Sequence, residues 1–255
     1  MIDVSRMQLL GAGQYGRVYR LDDKTALKII TKPPKVSMSS WKRAVEKEHA
    51  IQTALHHLGI APGVGKLSFE TNQATMPMDI IRGSIRSFFN DMCNMPGSRP
   101  CQAIPNPIQK AAIGVLEKAI EHGFIHSDNH LDNIGVNLDG MVTLIDFGFT
   151  QQCDKVPDCW KLQALEAALY QIIEYMTFNA FVETEFYNVI YLIRQGKYKF
   201  GSHMHMIGKK VFTEPAQRVT TPVVSDGRRT RRKSKSRVKK STSRVKKSTT
   251  RSSNY

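Results

Sequence analysis

The sequence predicts an α+β fold: an antiparallel sheet in the first third of the chain, helices after it, and an unstructured basic tail. Three observations carry this expectation. Between Met7 and Ile30, short runs containing valine, tyrosine and isoleucine alternate with glycine and aspartate turns, the pattern of adjacent antiparallel strands. Apolar residues recur at helical spacing over 41–57 and again over 108–120. From about Pro215 onward apolar residues thin out and Lys, Arg, Ser and Thr take over, a composition that cannot bury enough surface to offset the cost of ordering.

The first strand is read at M7-Q-L-L10, a glycine turn at 11–16, a second strand at R17-V-Y-R-L21 and a third at T25-A-L-K-I-I30, with D22-D-K24 as a tight turn. Lys32-Pro33-Pro34 closes the third strand, because proline has no N–H for the ladder. Ser39-Ser40 is expected to cap a helix from Trp41 to His57. On it Ala44, Glu48, Ile51 and Leu55 form one stripe, and a carboxylate on an apolar face needs a partner. A loop over 58–65, two strands within 66–78 and a connection over 80–84 lead to the helical part.

There, Ile108, Ala111, Ala112, Val115, Leu116, Ala119 and Ile120 trace a buried helical face that stops at Gly123. Residues 134–137 and 141–145 form a hairpin around Asp139-Gly140. Two helices follow, Trp160 to Met176 and Ala180 to Gln195.

The 255 residues are 41% hydrophobic and 8% aromatic, enough for a full core. The net charge is +15, but thirteen Lys or Arg stand against one acid between Asp226 and Tyr255, so residues 1–225 are nearly neutral. Such a polycation binds DNA or RNA without sequence preference by releasing counterions, and no aromatic interleaves it before Tyr255 to add stacking. Its R228-R-T-R-R-K233 run also reads as a nuclear-import signal. The repeat S236-R-V-K-K-S-T242, S243-R-V-K-K-S-T249 is too short for a solenoid and has no heptad apolar positions. Cys93, Cys101, Cys153 and Cys159 fit no CxxC spacing and no secretory signal opens the chain, so reduced thiols in an intracellular protein are expected. The apolar runs are too short to span a bilayer, and no membrane segment is expected.

Chemistry enters with four segments in order: G11-A-G-Q-Y-G-R-V18, A26-L-K28, H126-S-D-N-H-L-D-N133 and D146-F-G148. Glycines at 11, 13 and 16 let backbone N–H groups approach phosphate oxygens. Alone they also fit a dinucleotide-binding turn, but the segment after Gly16 is β-like rather than helical. Together the four segments resemble the protein-kinase fold. The resemblance implies a bilobal architecture, with a sheet lobe over 1–81, a reduced helical lobe with the catalytic loop over 82–214, and the tail over 215–255.

It also implies ATP and Mg2+ as cofactors and a role for each matching residue. Gly11, Ala12, Gly13, Gln14, Tyr15, Gly16, Val18 and Ala26 would enclose the nucleotide, with Val18 capping the adenine. Lys28 would hold the α- and β-phosphates and be fixed by Glu48, which shares a face with Ile51 and Leu55, whereas Glu46 shares one with Ala50, Thr53 and His57. The run T75-M-P-M-D-I-I81 resembles the strand leading to a kinase hinge, with Met78 as gatekeeper and the backbone of Asp79 and Ile81 facing the base. Asp128 would orient the acceptor hydroxyl and take its proton, while Asn133 and Asp146 would supply oxygens to magnesium. In this family the histidine at 126 braces the loop and the D-F-G backbone, and Asp132 reads as a solvent-facing or loop-bracing residue rather than a metal ligand. His130 stands where Ser/Thr kinases usually carry a lysine on the γ-phosphate; it donates one hydrogen bond but is mostly neutral near pH 7.

Two departures shape the expected activity. Ser127 replaces the arginine of H-R-D, so no guanidinium reads a phosphorylated activation loop. No A-P-E follows Asp146, which implies a helical lobe cut down as in RIO kinases, the minimal kinases of transfer-RNA modification complexes and small kinases of large DNA viruses. The resemblance thus implies an atypical serine/threonine kinase acting on protein substrates, its own hydroxyl-rich tail among them, in the nucleus or cytoplasm of a host cell or in the virion. One rival is a small-molecule kinase of the aminoglycoside or choline type, suggested by His130. The other is a nucleic-acid-packaging protein with a kinase scaffold, against which the joint presence of Lys28, Asp128, Asn133 and Asp146 argues. The sequence does not determine the oligomeric state.

Overall fold

The computed structural model describes residues 4–13, 16–88, 104–174 and 184–212. Strands β1 (Leu9–Ala12), β2 (Gly16–Arg20), β3 (Thr25–Thr31), β4 (Ser68–Phe69) and β5 (Gln73–Asp79) form one antiparallel sheet in the order β1-β2-β3-β5-β4. β1 reaches two residues further into the glycine segment than the spacing indicates, through a bulge between Leu9 and Gly11. β2 runs so close to β3 that a Cβ at Gly16 would stand 2.6 Å from Ile29 O. The Asp22 carboxylate turns the β2–β3 corner by accepting from the N–H groups of Lys24 and Thr25, both at 2.8 Å.

Helix α1 (Met38–His57) starts earlier than expected, because Ser37 rather than Ser39 or Ser40 is its cap: Ser37 Oγ accepts from Ser40 N at 3.1 Å. Its phase also differs. Ala44 is exposed, while Trp41, Val45, Ile51, Gln52 and Leu55 are buried. Trp41 and Val45 set the rotation because they carry more apolar area to bury than Ala44, and they pack on Ile30 and Ala74 of the sheet. Glu48 lies one turn beyond Val45 on this same stripe and is half-buried.

Residues 80–84, expected as a plain connection, contain a strand. β6 (Ile81–Ser84) pairs with β8 (Ile134–Asn137), which pairs with β9 (Val142–Leu144) around the expected Asp139-Gly140 turn. A segment this close to a sheet edge satisfies its backbone groups there. A two-stranded ladder joins β7 (Phe124–Ile125) to β10 (Gln151–Gln152).

Helix α2 (Asn106–Glu121) is the centre of the main core, with Ala112, Ile113 and Val115 almost fully enclosed. It ends at Gly123, whose φ of +83° and close approach to Cys153 O exclude a side chain. Helices α3 (Asp158–Glu174) and α4 (Glu185–Arg194) pack on it through Leu165, Leu169, Ile172, Phe186 and Val189. The expected ends of these helices at 175–176 and 180–183 lie outside the described residues. Ile51 and Leu55 of α1 join this core, so α1 links the sheet to the helices. No helix among the described residues is long and apolar enough to cross a membrane.

Candidate active site

β3 is paired on both edges, and the register fixes what its cleft face carries. Val18 opposes Lys28, Lys28 opposes Met76, and Ala26 opposes Met78, so these five side chains share one face of the sheet. Leu27 and Ile29 point the other way, into a small cluster with Tyr19. Lys28 Nζ lies 2.6 Å from Glu48 Oε1 and 3.2 Å from Asp146 Oδ1. The Lys28 and Glu48 side chains are only 13% and 11% exposed. Burial by itself would push the lysine pKa down, but the charges of Glu48 and Asp146 outweigh it and hold the value above the ordinary one. The ammonium therefore stays charged at neutral pH. Glu46 is exposed.

Asp146 has φ +60°, the one positive φ at a non-glycine position among the described residues. Such strain persists only where surroundings over-determine it, and here they do. Ile145 N donates to Asn133 O at 3.0 Å, and His126 Nε2 donates to Ile145 O at 3.0 Å. Phe147 is buried with its ring edge-on to His126, centroids 5.7 Å apart. Burial lowers the His126 pKa, so the ring is neutral, and with Nε2 donating it carries its proton there.

In the loop before β8, Asn133 Nδ2 donates to both the backbone O and Oδ2 of Asp128, each at 3.0 Å. His130 Nε2 is 3.6 Å from Asp128 Oδ2, and its Nδ1 accepts from Asp132 N at 3.3 Å. Asp132 is fixed by Arg86, Nε to Oδ2 at 2.7 Å, which makes it a loop brace, one of the two roles the sequence leaves open. Arg86 was not singled out in the sequence, nor was Gln171 of α3, which bonds to the residues on both sides of Asp128. Neither has a sequence signal, since both act across long separations.

Asp79 N donates to Gly63 O at 2.8 Å and its carboxylate accepts from Gly63 N at 2.8 Å, so only the carbonyl of residue 79 could serve the base. Gly11, Ala12, Gly13 and Gly16 lie at the β1–β2 corner, closed by Gly13 N donating to Gly16 O at 2.9 Å; Gln14 and Tyr15 lie outside the described residues.

Asn133 Oδ1 and the Asp146 carboxylate are hard oxygen donors of the kind magnesium takes. Among the described residues no group of three or more His, Cys, Asp or Glu gathers to hold a metal.

The ABC1 atypical kinase-like domain matches residues 105–173, the stretch from the start of α2 almost to the end of α3 that carries Asp128, Asn133 and Asp146. The chain is also 25% identical over 174 residues to the mitogen-activated protein kinase kinase kinase MCK1 of Pyricularia oryzae, covering 64% of this chain and 11% of that protein. It is 25% identical over 174 residues to the mitogen-activated protein kinase kinase kinase mkh1 of Cytospora mali, covering 64% and 9%. The chain thus spans about a tenth of the length of these relatives. With the sheet-then-helix architecture on the page, these matches support placing the chain in the protein kinase-like superfamily.

Proposed function

We propose that this chain transfers the γ-phosphoryl group of ATP, with magnesium, to a serine or threonine hydroxyl of a protein. The observation that carries the reading is Lys28 Nζ seated between Glu48 and Asp146, three residues distant in sequence with no other shared purpose. Lys28, oriented by Glu48, binds the α- and β-phosphates beneath the face carrying Val18, Ala26 and Met76. Asp128, held by Asn133, accepts a hydrogen bond from the acceptor hydroxyl and aims its oxygen at the γ-phosphorus. The new O–P bond forms as the bond from the γ-phosphorus to the bridging oxygen breaks; ADP leaves, and the hydroxyl proton passes to the Asp128 carboxylate. His130 Nε2–H, beside Asp128, donates to the transferring phosphoryl group. Asn133 and Asp146 would hold magnesium, which when bound would supply neutralisation of the phosphate charge.

The test is purified protein with γ-labelled ATP and magnesium, alone and with mixed protein acceptors. Label should appear on Ser or Thr and vanish with Asp128→Ala. Transfer that is undiminished in that variant sinks the assignment.

A small-molecule acceptor is the second reading, favoured by residues 149–157, which alone separate Gly148 from α3 and leave little chain to form a peptide platform. Aminoglycoside and choline acceptors in the same assay separate the two.

The tail, outside the described residues, is proposed to bind DNA or RNA through its phosphates and to lose hold when its own Ser and Thr are phosphorylated.

A further inference from the structure

Asp128 lies in a short loop between β7 and β8, and its carboxylate must be held to within a fraction of an ångström to work. Asn133 restrains it from one side only. On the other side, the carboxamide of Gln171, on the last turns of α3, reaches the loop with both ends of its dipole. Oε1 accepts from Asn129 N at 3.0 Å and from Asn129 Nδ2 at 2.9 Å, and Nε2 donates to Ser127 O at 3.3 Å. The residues gripped are the immediate neighbours of Asp128. Asn129 is buried, and its Nδ2 also donates to His126 O, so the clamp continues into the histidine that fixes Ile145 and hence Asp146.

We propose that Gln171 is a positioning residue for phosphoryl transfer: its side-chain amide clamps residues 127 and 129 and so sets where the Asp128 carboxylate points. This inference rests on the reading of Asp128 given above. The amide suits the site because it offers an acceptor able to take two N–H groups together with a separate donor for a carbonyl, which a carboxylate or an ammonium of similar reach does not provide. The rest of the helix anchors independently of Gln171: Leu165, Leu169 and Ile172 are enclosed in the core, and Lys161 Nζ is 2.7 Å from Glu121 Oε2.

Gln171 also lines a cavity of about 420 Å³ between the loop and α3, walled by Val156, Pro157, Trp160, Ala164 and Ala168. Truncating its side chain therefore enlarges an existing opening instead of creating a sealed void, and water can take over the lost hydrogen bonds. Fold and chemistry are separable at this position.

The experiment compares Gln171→Ala, Gln171→Glu and Asp128→Asn with the full wild-type chain, measuring kcat, KM for ATP and Tm. Gln171→Ala should lower kcat on the order of tenfold or more, since small misplacements of catalytic groups are amplified in rate, with KM for ATP and Tm nearly unchanged. Gln171→Glu keeps the acceptor for Asn129 but loses the donor to Ser127, and should retain more activity than Gln171→Ala. Added to Asn129→Ala, which leaves the Asn129 N and Ser127 O contacts of Gln171 in place, the Gln171→Ala change should still lower kcat. Unchanged kcat in Gln171→Ala overturns the clamp, as does a loss of kcat that tracks Tm with no recovery in Gln171→Glu. Full activity in Asp128→Asn overturns the prior reading instead, and the clamp with it.

Discussion

Glu48 Oε1 lies 2.6 Å from Lys28 Nζ, joining the middle of α1 to the middle of β3 inside a site where both side chains are nearly enclosed. A pair this buried is informative because removing one partner strands the other's charge. Glu48→Gln keeps the shape but not the charge, so kcat/KM for ATP should fall on the order of a hundredfold, the scale of losing one preorganised electrostatic contact. Glu46→Gln, on the exposed face of the same helix, should leave kinetics intact. The reverse ranking would show that α1 is rotated relative to this description.

The Asp128–Asn133 hydrogen bond predicts a split between binding and turnover. Asp128→Ala should cut kcat by about 10²- to 10⁴-fold, the usual range for a lost general base, while ATP still raises Tm. Asn133→Ala should also raise the magnesium concentration needed for half-maximal rate, because it removes both the brace and an oxygen donor. A magnesium requirement identical to wild type would reject the metal role of Asn133.

Much of this site is legible in the sequence because its parts are local. The glycines, Lys28 in a β-branched run, and Asp128, Asn133 and Asp146 at short spacing each declare themselves, and Gly123 marks the stop of α2 as expected. What escapes is set by packing. The α1 cap falls on Ser37 and its face on Trp41 and Val45 because those side chains meet Ile30 and Ala74, which no window of α1 contains. β6 is a strand because β8 lies beside it, and Gln171 matters because α3 folds back under a loop 42 residues earlier.

His126 predicts an acid limb in stability. Its folded pKa lies below the ordinary 6.5, chiefly through burial, so the unfolded chain binds a proton that the native ring resists. Stability contributed by this group is fully present above 6.5 and falls as pH drops through the window toward the native value, with a slope of at most about 1.4 kcal/mol per pH unit. Urea melts of wild type and His126→Gln between pH 7.5 and 5 should show a shallower decline in the variant. Parallel curves would mean that another group dominates.

Glu117, fully buried in α2, accepts from Tyr198 OH at 2.8 Å, Gly201 N at 2.8 Å and His203 N at 2.9 Å. One carboxylate thus holds the 198–203 segment onto the core, and burial together with that charge pushes the Tyr198 phenol far above its usual pKa. Glu117→Ala leaves three donors without an acceptor and should cost about 3–5 kcal/mol, read as a lower urea midpoint. None of these Glu117 hydrogen bonds involves a candidate site residue, so surviving folded protein should keep its KM for ATP. A small loss of stability would mean that water replaces the carboxylate.

Thirteen Lys or Arg between Asp226 and Tyr255 set an upper bound on polyanion binding. If every charge met a DNA phosphate, log K would fall against log salt with a slope of about −12, and partial engagement gives proportionally less. Deleting residues 226–255 should therefore abolish binding to a mixed-sequence duplex at moderate salt while leaving phosphoryl transfer to an added acceptor unchanged, because every candidate site residue lies within residues 1–225. Prior incubation with ATP and magnesium should weaken wild-type binding and reduce the salt slope, as each phosphate added to the tail offsets one or two of its positive charges. A deletion that removes both activities would show that the tail contributes to the site; binding that ignores ATP treatment would separate the tail from the enzyme's own chemistry.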